Sequence, residues 1–141
     1  MASLQNNVPA ARRSTAWLPD TGSIVFRDSA GSLQDISPLL SRIVDALGTN
    51  AAARLLGADR AQVSRWSAGT EPISAEMGRR MVDLHFVLTR IFRVLSPSAA
   101  AMWLGGSEPL LGGARPIDVL ALEGASRVIR AIDGIEQGAF A

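Results

Sequence analysis

Thr49-Asn50-Ala-Ala-Ala53-Arg-Leu-Leu56-Gly57-Ala-Asp59-Arg60-Ala61-Gln62-Val63-Ser64-Arg65-Trp66-Ser-Ala-Gly69 is the segment on which the reading of the fold turns. It predicts two short helices meeting at a tight turn. Ala53 is small because the following helix crosses close above it, and Gly57 allows the left-handed backbone that the turn demands. Leu56, Val63 and Trp66 fill the wedge between the two helices. Asp59 is placed as N-cap of the second helix, with Gln62 three residues on as its capping-box partner, and the helix ends near Gly69.

Working outward, Asp35 or Ser37 caps a preceding helix with Pro38 at its first position. Leu39, Leu40, Ile43, Val44 and Leu47 recur in it at helical spacing up to Gly48. Met1 to Ser32 is polar, rich in small residues and broken by prolines and glycines, so it reads as a flexible extension with Ile24-Val25-Phe26 as one short strand or arm. Downstream, a long helix is expected from Ser74 to Leu95. Met77, Met81, Leu84, Leu88, Ile91 and Leu95 step by four and three along it, a spacing that fits either a central core helix or a seam for a second copy. Ser96-Pro97 breaks this helix and Ser98 caps a short one through Leu104. Gly105 to Arg115 is loop. Pro116 opens a helix to Leu122, and a last helix from Glu123 to Glu136 carries Val128, Ile132 and Ile135 as its stripe, with Gly138 as C-terminal cap. Strand content is near zero, so the class is all-α: a flexible extension over residues 1–34, a helix-turn-helix bundle with a long central helix over 35–97, and a small C-terminal helical module over 98–141.

Composition narrows the function. The chain has 141 residues, 48% of them hydrophobic, and a net charge of +1. That length is a prior for one domain or two very small ones. No run of eighteen apolar residues and no signal-peptide core is present, so no membrane association is expected and the cytoplasm follows by default. Without cysteine there is no disulfide framework or thiolate metal site. Every basic residue is Arg, the better side chain for bidentate contact with guanine edges and phosphates; a GC-rich coding sequence gives the same bias. The sole histidine, His85, lies mid-helix among apolar residues, and the glycine pairs lack the Gly-Lys-Ser/Thr of a phosphate loop. No catalytic residues, metal ligands or cofactor are assigned, and no enzyme is expected.

In a helix-turn-helix the outward face of the second helix enters the major groove. Arg60 and Arg65 then face guanine O6 and N7, Ser64 faces bases or phosphate, and Gln62 lies at the rim. Thr49 and Asn50, at the start of the first helix, meet phosphate. Arg79 and Arg80 extend that contact or form the wet side of a helix.

Ser64-Arg65-Trp66-Ser-Ala-Gly69 resembles the recognition helix of Xre-type, phage-repressor-like proteins. The C-terminal block resembles the toxin-binding domain of Xre/MbcA/ParS-type antitoxins through Ala101-x-Trp103-Leu104, Leu111-Gly112-Gly113-x-x-Pro116-Ile117-Asp118, Glu123-Gly124, Val128 and Ile135-x-x-Gly138-Ala139. It departs at Gly105-Gly106-Ser107-Glu108, where the family carries a more polar turn. The resemblance implies an antitoxin that binds a RES-domain toxin, an enzyme degrading NAD⁺, and blocks its NAD pocket. It further implies repression of the protein's own promoter by binding operator DNA, and a homodimer that joins the toxin in a higher hetero-oligomer. The residues placed at the toxin contact are Glu123, Arg127, Arg130, Glu136, Gln137, Gly138, Ala139, Phe140 and Ala141, with Trp103 and Leu104 as internal anchors. The alternative is a stand-alone Xre-type transcription regulator whose C-terminal block serves oligomerisation.

Overall fold

Residues 29–139 are described by a computed structural model of the chain, with side chains placed from Ile36 to Gly138. The readings that fall on residues 1–28, on the Ala139 side chain and on Phe140 and Ala141 lie outside these residues. Among the described residues seven α-helices follow one another: α1 (Ser29–Leu47), α2 (Thr49–Leu56), α3 (Arg60–Ala68), α4 (Ala75–Ile91), α5 (Pro97–Gly105), α6 (Pro116–Glu123) and α7 (Ser126–Ala139). A single 3-10 turn, Pro109–Leu111, interrupts the loop after α5, and there is no strand among the described residues. The all-α reading holds.

The two short helices on either side of Gly57 form with the expected bounds. Gly57 ends α2 with φ +72°, and the Asp59 carboxylate caps α3 by accepting from the Gln62 N–H at 2.7 Å. Ala53, Leu56, Val63 and Trp66 are all buried where the helices cross. Only half of the capping box forms, because the Gln62 side chain turns to Glu71 instead.

Elsewhere tertiary packing overrides local signals. The first helix begins at Ser29, so Pro38 lies inside it and not at its first position. An internal proline costs about 3 kcal/mol. The extension upstream places Ile36 on one stripe with Leu40 and Ile43, all fully buried; each such side chain contributes roughly 1.5–3 kcal/mol, which offsets that cost. The long helix α4 is capped by Ser74 as expected, its hydroxyl accepting from the Met77 N–H at 3.1 Å. It ends at Ile91, one turn before Leu95. Ser96 is held extended by the proline that follows it, and the chain unwinds ahead of it. With Pro97 at the first helical position, Ser96 and not Ser98 caps α5, accepting from the Ala99 N–H at 3.2 Å. Gly124, at φ +88°, separates α6 from α7, so the last helix starts at Ser126; Gly138 lies inside it and does not cap it.

The seam on α4 has a definite use. Met81, Leu84, Leu88 and Ile91 are closed off by the chain itself, and α4 is the axis on which α1, α2, α6 and α7 pack. It is a central core helix, and these side chains do not face a second copy. One hydrophobic cluster runs from Ile36 through Trp66 and Leu88 to Val128 and Ile132. The α2–α3 pair and the C-terminal helices therefore stand on a common core. His85 is half-buried on α4, and this burial, followed by the nearby Arg42 charge, holds its pKa below the usual imidazole value. No helix among the described residues is long and apolar enough to cross a membrane.

Candidate functional site

Two faces carry the chemistry. On the first, Arg60, Ser64 and Arg65 project from α3 into solvent. Thr49, half-buried, and Asn50, exposed, stand at the first turn of α2. Among the described residues no hydrogen bond or ion pair engages the Arg60 side chain. Arg65 and Gln62 differ: the Arg65 Nε donates to Glu71 Oε1 at 2.8 Å and the Gln62 amide donates to Glu71 Oε2 at 2.9 Å. The hydrogen bond from Gln62 and then that from Arg65 hold the Glu71 carboxyl below the usual range. Glu71 was not among the residues read from sequence; its only local signal is its place between the Gly69 turn and Pro72. Arg80 is paired with Glu76 across one helical turn at 3.3 Å, whereas Arg79 is exposed.

The second face belongs to α7 and the loop beneath it. The inner side of α7 buries Val128, Ala131 and Ile132, and its acidic residues reach back to α4 and the turn after it: Asp133 pairs with Arg90 on the helix, and Glu136 accepts from Arg93 in the turn at 3.2 Å. Glu136 consequently keeps only 21% of its side chain exposed. On the outer side, Arg127 bridges to both carboxylate oxygens of Glu123 at 3.0 and 3.1 Å, while Arg130, Gln137 and Gly138 are exposed. Arg127, Arg130 and Gly134 line one wall of an open cleft of about 290 Å³, and Leu110 and Leu111 line the other. Leu110 is 59% exposed. Gly134 permits this approach, since a Cβ there would stand 3.0 Å from Leu110 Cδ1. Leu110 was missed by sequence reasoning because a leucine beside a buried leucine reads as core; only Leu111 is.

The loop that departs from the family pattern is organised by Glu108, a buried carboxylate with 7% exposure. It accepts from the Trp103 indole N–H at 2.6 Å and from the Leu110 backbone N–H at 2.7 Å. Its own backbone N–H donates to the Ala114 carbonyl at 3.1 Å. Trp103 is thus an internal anchor, and Leu104 is fully buried. Glu108→Ala should leave two donors unpaired and lower unfolding stability by about 2–4 kcal/mol in urea melts. Glu108→Gln, which retains an acceptor, should cost roughly half as much. Asp118 sits in the first turn of α6, as expected, where hydrogen bonds from Arg115 hold its carboxyl low. No group of three His, Cys, Asp or Glu among the described residues is placed to hold a metal ion.

These features define a small all-α protein in which an exposed α3 face and an exposed α7 face share one core. Over residues 88–138, from the last turn of α4 into the last turn of α7, the chain matches the family model of the antitoxin Xre/MbcA/ParS C-terminal toxin-binding domain. It is 32% identical over 92 residues to the Prs ADP-ribosylating antitoxin of Sphingobium sp. (strain YBL2), an alignment covering 57% of this chain and 58% of that protein. The chain thus spans less than two thirds of that curated relative's length. No solved structure matches.

Proposed function

We propose that this protein is the antitoxin of a toxin–antitoxin pair: without enzymatic activity of its own, it binds a RES-domain toxin through α7 and its tail and blocks the toxin's NAD pocket. The observation that carries this reading is the cleft of Leu110, Arg127, Arg130 and Gly134 on the domain that matches the toxin-binding family. Arginine is enriched at protein interfaces, and the exposed Arg130 beside the exposed Leu110 offers a partner one charged and one apolar contact on the same cleft. The name of the Sphingobium relative supports the chemistry, since ADP-ribosylation and NAD⁺ degradation both break the bond between nicotinamide and ribose.

The α3 face supplies the second half of the proposal, repression of the protein's own promoter. Arg60, Ser64 and Arg65 are exposed on one short helix whose N-terminal turn is free to enter a groove. Homodimerisation belongs to the same proposal, and it must use a surface other than the α4 seam. The exposed α3 face also favours the second reading, a stand-alone Xre-type regulator.

Co-expression with an adjacent RES-domain reading frame separates the two. The antitoxin reading expects restored growth, preserved cellular NAD⁺ and co-purification of the two chains. Continued NAD⁺ loss with no co-purification would leave the regulator.

A further inference from the structure

We infer that Glu71 is a specificity-determining residue of the α3 face: its carboxylate holds Gln62 and Arg65 in the rotamers that present their remaining polar atoms to base edges. The inference rests on the DNA-reading half of the proposed function.

The geometry leaves the reading atoms free. Glu71 engages Arg65 through Nε alone, so both Nη groups stay available for the two acceptors of a guanine edge. It engages Gln62 through Nε2 and leaves the amide oxygen and the second N–H. Gln62 and Arg65 are three residues apart and project from neighbouring positions of one helix face. One carboxylate therefore couples two candidate readers.

The carboxylate is itself held in place. Gly69 turns the chain at φ +78°, and the Thr70 and Glu71 backbone N–H groups both donate to the Arg65 carbonyl, at 3.0 and 3.3 Å. Pro72 restricts Glu71 to extended backbone. Glu71 is thus built into the C-terminal cap of the helix whose side chains it orients.

Stability does not account for this arrangement, because an exposed pair of this kind contributes little to folding. Non-specific attraction does not account for it either, because a carboxylate on a DNA-facing surface repels phosphate. The two effects on DNA are opposite in sign. Fixing the arginine strengthens binding to the right bases, and the negative charge weakens binding to every sequence alike.

The test uses the full chain. The duplex that the wild type enriches from a random-sequence pool is compared with a shuffled duplex of the same composition, by fluorescence anisotropy. Glu71→Ala should bind the shuffled duplex severalfold more tightly and lower the preference for the enriched duplex by about tenfold. The base positions it relaxes should be those relaxed by Gln62→Ala and by Arg65→Ala, and it should relax nothing further in a chain carrying both of those substitutions. The melting temperature should stay at the wild-type value, which separates positioning from a fold effect. Equal gains on both duplexes would make Glu71 a mere electrostatic brake and overturn the inference. So would an unchanged preference in a chain whose wild type discriminates. If the wild type enriches no sequence, the DNA-reading proposal itself falls and this inference with it.

Discussion

A chain carrying Arg60→Ala and Arg65→Ala together is expected to lose binding to its operator by on the order of 10³-fold, since each bidentate guanine contact carries about 1–3 kcal/mol of discrimination. Both side chains are exposed, and the one fixed contact between them is that of Arg65 with Glu71. Neither fills the core, which is closed at this point by Val63 and Trp66. The thermal midpoint should therefore barely change. If one of the two arginines meets phosphate and not a base, its removal should lower the salt slope of binding by about one unit and weaken all sequences alike. Toxin neutralisation should be untouched, because α7 and its cleft are held by Val128, Ile132 and the pairs to Arg90 and Arg93. Gel-shift titration and an NAD⁺ protection assay on the same preparation measure the two halves. Loss of both activities would show that these arginines support the fold and read nothing.

Removing Glu136 to Ala141 is expected to free the toxin, raising NAD⁺ degradation in the mixture by on the order of 10²-fold, the scale on which loss of an aromatic anchor at an interface centre acts. The shortened chain should still fold. Val128, Ala131 and Ile132 remain buried and Asp133 keeps its pairing with Arg90. What disappears is the Arg93–Glu136 contact, and partly exposed pairs of this kind contribute about 0–1 kcal/mol. Glu136→Ala is the control: it removes the ion pair and leaves the tail, so it should protect NAD⁺ as the wild type does. If the truncated chain still protects NAD⁺, the plug is not the tail, and Leu110 with Arg130 becomes the surface to substitute.

What could be read along the chain was local. The caps at Asp59 and Ser74, the turn at Gly57 and the proline opening α6 all depend on neighbours within four residues, and all formed as the residue types require. Pro38, Ser98 and Gly138 misled for a shared reason. Each carries a boundary signal that packing or a stronger adjacent signal overrode: burial of Ile36 carried a helix past Pro38, Pro97 set the cap two residues ahead of Ser98, and α7 continued through Gly138. Glu71 and Glu108 were passed over because a lone carboxylate in a loop normally meets water. Each gathers two donors that only the folded chain brings together.

The residue pattern by itself determined the helical class and the order of the elements, because periodicity and capping act over a single turn. Only the tertiary structure decided how each face is used. The seam on α4 could serve a core or a partner with equal chemistry, and packing of α1, α2, α6 and α7 around it closed that choice. The same packing turned Glu136 inward and left Leu110, Arg130 and the α3 arginines outside. Apolar periodicity says that a side chain seeks burial; which surface buries it depends on contacts far apart in the chain.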